Sequence, residues 1–485
     1  MTKTVDIAEN KTKKEESFSH IGKKSFFVVV SLLLAIMALV GFLTNVIPQG
    51  SYQRDENGMI INGTFVQSGT KGIAFWRIIT APFRVFASSD GLTIIMISVF
   101  LLIMSGVFNL LDKTGGIRVV IGKTVRKFSN KKKVVICATT FVFMAFGSFF
   151  GLFEELATLL PLVIVFTLSM GFDSLTGLGV CLMASCFGFS AAITNPFSVG
   201  IVADLANTHV FDGAWLRVVF FVLVYASLCG FLLLHIRKIS KAPKKSLTYE
   251  LDEKRRQTLD FSTTEESERE NKIFKTYVIF FAIQLFMLVL IASIRAISGL
   301  AIPILAVSFL LGGIICGLCV CEKKGEVFSH MLQGAVAMLP AVIMIALASS
   351  VKLIMEEGGI LDTVMHGAIK VLEGKNQFLC IIVIYLLILF LQIFIGSSSA
   401  KIMLIMPIIL PIASTLGISS TVVILTYCIA DGFTDVILPT NPVLLIGLSM
   451  ANVSYGKWLK WTWKFQLLMF IGTVLLLMLA VQIGY

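Results

Sequence analysis

The sequence predicts an all-α integral membrane protein: two inverted repeats, about nine transmembrane helices plus two re-entrant hairpins, and broken helices at the midplane. Three observations predict it. Hydrophobic residues make up 56% of 485 positions and charged residues only 14%, with a mean hydropathy of +0.91, far from the usage of soluble domains. Lys and Arg gather in a few stretches rather than along the whole chain. Short motifs of the first half recur in the second.

Between the charged stretches lie apolar runs long enough to cross a ~30 Å hydrocarbon core. Full crossings are read at 26–47, 92–111, 176–206, 215–236, 276–294, 301–320, 331–355, 421–450 and 465–481. The first run is too long for a signal-peptide core and is expected to stay as a span. With the Lys-rich tail 1–25 inside, the basic loops 113–133, 237–275, 323–324 and 457–464 also fall inside, as the positive-inside bias requires. The expected location is a bacterial inner membrane, with the N-terminus cytoplasmic and the C-terminus outside. The net charge of +11 follows from that bias and does not point to nucleic acid. Outside, the Asn57-Gly58 turn signal between strand-like stretches predicts a small hairpin within 52–67. Inside, the polar segment 240–271 is expected to be a flexible linker with at most a short helix. It divides a first half, 26–236, from a second, 276–485.

Two further apolar regions, 134–170 and 378–414, enter and leave on the same side under this charge assignment and are expected to be re-entrant hairpins. Their midpoints hold polar residues that a lipid-facing helix would not tolerate: Ser148 to Glu155 in the first, Gly396-Ser397-Ser398-Ser399-Ala400-Lys401 in the second.

The halves echo each other. Gly115-Gly116-Ile117 recurs as Gly358-Gly359-Ile360, Pro161 as Pro407, Thr194-Asn195-Pro196 as Thr440-Asn441-Pro442, and Trp215 as Trp458. The first Gly-Gly-Ile falls inside and the second outside, so the copies have opposite topology. Proline removes a helix donor, so each Thr-Asn-Pro triplet marks a broken helix, at 194–196 and 440–442. Inverted repeats with broken helices meeting near the midplane are the pattern of secondary transporters. An enzyme is disfavoured: there is no HExxH, and the five histidines sit at loops or span ends. A channel fits poorly with occluding hairpins, and no Walker A sequence supports an ATP-driven pump. The nine cysteines form no framework, and the Cys316, Cys319, Cys321 cluster lacks further ligands for a metal.

The segments Gly151-Leu152-Phe153-Glu154-Glu155, Ala192 to Gly200, Ala430-Asp431-Gly432-Phe433-Thr434 and Tyr455 to Lys460 resemble the YfcC family, grouped with the C4-dicarboxylate anaerobic carriers inside the ion transporter superfamily. The resemblance covers nearly the whole chain. It implies a homodimer, elevator-type movement of the hairpin domain against a fixed scaffold, and exchange of basic amino acids. The chain departs from the family pattern at Ser397 to Lys401 and at Asp435 with Thr440-Asn441-Pro442, both within the expected site.

An amino-acid substrate needs complements for a carboxylate and for one or more ammonium groups. Half-helices are expected to start near Leu156, Phe197, Lys401 and Val443, and their free amides suit the carboxylate. Thr194, Asn195, Ser397, Ser398, Ser399, Thr440 and Asn441 supply hydroxyl and amide groups for substrate or ion. Glu154 and Glu155 suit a cationic head group, because a carboxylate at membrane depth costs at least ~2.5 kcal/mol and is retained where it is paired or functional. An alternative places both as N-terminal charges of the second hairpin helix. Charge coupling is expected at Asp431, Asp435 and Lys401. In one reading the Lys401 ammonium, countered by Asp435, stands where a sodium ion would bind; in the other the pair is structural. The expected partners are a small-molecule substrate and membrane lipid, with no cofactor beyond a sodium ion or proton as coupling ion. The alternative to amino-acid exchange is transport of a C4-dicarboxylate or other carboxylate driven by sodium or protons.

Overall fold

The computed structural model describes residues 23–485 apart from 55–60, 62, 70–71, 118, 121–122, 124–130, 158, 259–267, 295–299 and 373–375. The N-terminal tail up to residue 22, the Asn57-Gly58 turn and residues 118, 121–122 and 124–130 of the basic loop 113–133 therefore lie outside the described residues.

Two groups of helices share the chain. The first contains α1 (Lys23–Val46), α2 (Phe75–Arg84) and α3 (Gly91–Lys113), and later α10 (Glu268–Ser293), α11 (Ala301–Val320), α12 (Glu326–Ala337), α13 (Leu339–Glu357) and α14 (Leu361–Leu372). Here α1 packs on α13, and α3 packs on α11 and α12. Gly106 and Gly334 let α3 and α12 approach until a Cβ on either would stand within 2.7 Å of the other helix's backbone, a close contact of the kind small residues permit between membrane helices.

The second group holds the hairpins. Hairpin 1 is α4 (Lys132–Phe150) and α5 (Leu160–Ser169), followed by a broken helix of α6 (Ser174–Ser190) and α7 (Pro196–Leu205), and then by α8 (Ala214–Lys241). A short α9 (Tyr249–Thr258) follows in the linker. Hairpin 2 is α15 (Gln377–Gln392) and α16 (Ser398–Thr415), followed by the broken pair α17 (Ser420–Phe433) and α18 (Pro442–Ala451), and by α19 (Tyr455–Gln482). Hairpin 1 closes at the end of the bundle that carries α9, where Lys132 Nζ donates to Met170 O at 2.8 Å. Hairpin 2 closes at the other end, where Gln377 Nε2 donates to Leu416 O at 2.8 Å. Hairpin, broken helix and long helix follow one another in the same order in both halves.

Among the described residues eight helices are long and apolar enough to cross a membrane. Two of them, Lys132–Phe150 and Ser398–Thr415, are hairpin arms rather than crossings read from the sequence. The predicted crossings 176–206 and 421–450 are each split into short helices at the expected triplets.

The sequence echo is looser in detail than in order. Pro161 starts α5, whereas Pro407 lies inside the unbroken α16 beside Pro411. Trp215 is exposed, while Trp458 is wholly buried and donates its indole N–H to Val436 O at 2.5 Å. These two pairs do not occupy equivalent places.

The expected hairpin forms further out than predicted: β1 (Gln49–Ser51) pairs antiparallel with β2 (Val66–Gly69). The linker also departs from expectation, because its first part is fastened. Asp252 of α9 accepts from Ser174 N at 3.0 Å and Thr248 Oγ1 at 2.6 Å, and also from the Ser174 hydroxyl. Arg256 Nη2 donates to Phe172 O at 2.6 Å and Arg255 Nη2 to Met450 O at 3.4 Å. Asp173 caps α6 and takes Ser246 Oγ at 2.6 Å and His235 Nε2 at 2.9 Å. Burial pushes the Asp252 carboxyl up against the hydrogen bonds of Ser174 and Thr248. Burial acts on Asp173 too, but its bonds to His235, Ser246 and Thr176 outweigh it and hold the carboxyl below the usual range. Loop composition reads as flexible because it is polar, yet the same polar groups satisfy the free helix ends they cover.

Candidate functional site

The site grows from the hairpin tips and the helix breaks. Helix α4 ends on Gly151, in the left-handed region at φ +70. Only glycine suits it: the conformation disfavours a side chain, and a Cβ would collide with Asn195 Oδ1 and with the Phe197 ring. One turn earlier the Ser148 carbonyl accepts the amides of Ile193, Thr194 and Asn195 at 3.1, 3.3 and 3.1 Å. The Ser148 hydroxyl donates to Ala191 O at 2.6 Å. The extended 191–195 segment is thus clipped onto the tip of hairpin 1, which is where its buried amides find partners. Gly151→Ala is expected to destabilise the tip by more than ~1 kcal/mol, through strain and the forced retreat of Asn195, seen as a lower unfolding temperature of the purified protein.

Each second half-helix opens on Asn followed by Pro. Asn195 Oδ1 accepts from Phe197 N at 2.9 Å, and Asn441 Oδ1 accepts from Val443 N at 2.9 Å and Leu444 N at 3.2 Å. Both are helix N-caps, and proline at the first helical position costs no hydrogen bond. Ser397 caps α16 through Ala400 N at 3.4 Å. Hairpin 2 meets both broken helices here: Ser398 Oγ donates to Phe197 O of α7 at 3.5 Å, and Tyr427 OH of α17 to Ser398 O at 2.7 Å.

Two carboxylates follow in α17 and its continuation. The Lys401 ammonium pairs with Asp431, both fully buried at 0% and 1% side-chain exposure. Asp435 takes Asn441 Nδ2 at 2.8 Å and the Gln392 amide. The expectation that Asp435 is the counter-ion of Lys401 is therefore corrected. Asp431 lies one helical turn before Asp435, on the face of α17 turned to α16, and reaches the lysine first.

A cavity of about 310 Å³ lies between the tips and the first helix group. Glu154, Glu155, Asp431 and Asp435 line it, as do Ser397, Ser398, Ser399, Thr440 and Asn441. Thr194, Asn195 and Lys401 do not. Thr194 Oγ1 is spent on Phe149 O at 3.1 Å, Asn195 is wholly buried as a cap, and Lys401 stands behind Asp431. The Asn195 Nδ2 is buried without a protein partner.

The opposite wall was missed by sequence reasoning. It brings Asp90 and Thr93 from the start of α3, and Ser349 and Lys352 from α13. Lys352 Nζ reaches Asp90 Oδ2 at 2.5 Å. The signal was present: a lysine inside the apolar run 331–355 obeys the same rule that drew attention to Glu154 and Glu155. Among the described residues no group of three His, Cys, Asp or Glu side chains is placed to hold a metal. Cys316, Cys319 and Cys321 are free thiols at the end of α11.

The chain is 25% identical over 386 residues to a protein of uncharacterised function from Haemophilus influenzae, covering 78% of this chain and 74% of that one. It is 24% identical over 436 residues to an Escherichia coli protein named "Putative basic amino acid antiporter YfcC", covering 87% and 84%. The crystal structure of the YdaH transporter of Alcanivorax borkumensis overlays with a TM-score of 0.42 at 16% identity, over 95% of this chain and 98% of that one. At that distance the architecture rests on this chain's own elements. The match to the family described as C4-dicarboxylate anaerobic carrier, DcuC, extends over residues 25–482, so the chain belongs to that family and is a multi-pass membrane carrier rather than an enzyme.

Proposed function

We propose that the chain is an antiporter that exchanges basic amino acids of the arginine, ornithine and lysine type. The observation that carries this reading is the charge of the cavity. Five carboxyl side chains line it, namely Asp90, Glu154, Glu155, Asp431 and Asp435, against Lys352 in the wall and Lys401 behind it, so acidic side chains outnumber basic ones by three. Such a lining favours a substrate that brings positive charge. The substrate carboxylate is read as lying at the starts of α7, α16 and α18, among Ser397, Ser398, Ser399 and Thr440, where backbone amides and hydroxyls supply donors. The side-chain cation is read as lying against Glu154 and Glu155.

The two halves, with hairpins closing at opposite ends, are read as inverted repeats. Elevator-type movement of the hairpin group against the first group is supported by the cavity lying between them. A homodimer in a bacterial inner membrane, with α9 on the cytoplasmic side, completes the proposal. Intact cells are expected to admit a membrane-impermeant thiol reagent to Gly63→Cys and to shield Glu250→Cys; the reverse result overturns the sidedness. With Lys401 fixed on Asp431, exchange is read as needing no sodium ion, and proton coupling through Asp435 is the competing arrangement.

The family's description favours a second reading, carriage of a C4-dicarboxylate with sodium or protons. Ligand-induced stabilisation of the purified protein separates the two. Arginine at about a hundredfold its Kd is expected to stabilise by ~2.7 kcal/mol, and succinate to leave the unfolding temperature unchanged. Stabilisation by succinate and not by arginine moves the assignment to the second reading.

A further inference from the structure

A second cavity, of about 380 Å³, lies at the end of the bundle that carries β1. Its walls come from Gly50 and Ser51, from Arg54 and Asp362, and from the outer face of hairpin 2 at Ala400 and Met403. Among the described residues Lys352 is the one that lines both this chamber and the 310 Å³ cavity. Its side chain is only 14% exposed, and its ammonium contacts Asp90 Oδ2 at 2.5 Å and Glu356 Oε1 at 3.3 Å. Asp90 belongs to the wall of the first cavity and Glu356 to that of the second. The lysine therefore stands in the partition between the chambers, held by one carboxylate from each side.

We propose that Asp90, Lys352 and Glu356 form a gate between an outer antechamber and the transport site, opened when a substrate carboxylate takes the Lys352 ammonium from its two partners. This rests on the reading of the 310 Å³ cavity as the transport site. Three features support it. All three gate residues belong to the first helix group, facing hairpin 2, so the partition lies where the two groups part. The antechamber lining balances Arg54 and Lys352 against Glu356 and Asp362, which suits a zwitterionic amino-acid head group better than a multiply charged anion. A single ammonium shared by two carboxylates is exchangeable when the substrate brings its own cations: its carboxylate takes Lys352, and the two cationic groups of a basic amino acid can pair with the Asp90 and Glu356 carboxylates it releases.

The gate is tested by the labelling rate of Ser349→Cys, one turn before Lys352 in the inner cavity, and of Met403→Cys in the antechamber. A membrane-impermeant maleimide is added to each face of the membrane in turn, and rates are taken above the background of the native thiols. Lys352→Gln is expected to speed labelling of Ser349→Cys from the antechamber face by about tenfold, the change in open population expected when a partly buried ion pair is lost. Labelling of Met403→Cys should keep its rate. Glu356→Gln, which retains the Asp90–Lys352 pair, should give a smaller change in the same direction, and it decides the matter if Lys352→Gln does not fold. An unchanged Ser349→Cys rate in the variants from both faces overturns the gate and leaves Lys352 as a cross-link between α3 and α13. If the variants speed labelling but saturating arginine does not protect Ser349→Cys, the gate stands and the amino-acid reading of the site fails.

Discussion

Lys401→Met is expected to lower the stability of the protein by ~3–5 kcal/mol, and the double variant Lys401→Gln with Asp431→Asn is expected to recover much of that loss. Lys401 and Asp431 have side chains 0% and 1% exposed, with their charged groups in direct contact. Removing the cation leaves a carboxylate buried without its counter-charge, for which breaking such a pair costs ~3–5 kcal/mol. That is a large share of the 5–15 kcal/mol typical of a domain. Replacing both charges by amides of similar shape removes the uncompensated charge, so the double variant should recover much of the loss. The monodisperse yield and the unfolding temperature of the single and double variants check this. A Lys401→Met protein as stable as the wild type means that the pair is not what anchors α16 to α17. Should the double variant fold and then exchange substrate only with sodium present, the lysine stands where a cation is needed.

Glu154→Gln is expected to weaken basic amino-acid exchange at least about tenfold, the loss that follows when a charge-assisted hydrogen bond becomes a neutral one. Glu154 lines the cavity beside Glu155, and the Asp435 carboxylate shares the same wall. At ~6 Å and an effective dielectric of ~20, one carboxylate attracts a guanidinium or ammonium by roughly 3 kcal/mol and repels each charge of a dicarboxylate by as much. Such repulsion is about a hundredfold in affinity, so a dicarboxylate carrier would not retain it. Initial rates of arginine exchange by Glu154→Gln in proteoliposomes, at several concentrations, separate a loss of affinity from a loss of protein. An unchanged KM excludes Glu154 as the cation's partner and leaves it as an N-terminal charge of hairpin 1's second arm.

Charge distribution and proline placement carried the architecture, because membrane insertion forces both to the surface of the sequence. Lys and Arg gather mainly between the apolar runs, and a Thr-Asn-Pro triplet inside an apolar run has few meanings other than a broken helix. Helices are interrupted at 191–195 and 437–441, next to those triplets, and the chain turns near Gly151 and Gly396. The pairing inside the site was less legible. Asp431 and Asp435 are both within helical reach of Lys401, and only the rotation of α17 against α16 selects Asp431. Asn195 and Asn441 share a motif but not a role. One is wholly buried as a cap, while the other caps its helix, binds Asp435 and faces the cavity. Lys352 and Asp90 escaped because neither belongs to a repeated motif and their cavity wall is built by the other helix group. The fastened linker escaped because composition records polarity and not the partners that polarity finds.

Counterflow into proteoliposomes reads the substrate directly. Vesicles loaded with unlabelled arginine, ornithine or lysine are expected to accumulate labelled arginine against its gradient, without sodium, and vesicles loaded with succinate or malate are expected not to. Exchange of succinate or malate with no response to any of the three basic amino acids would contradict the assignment of the acidic cavity to a cationic substrate.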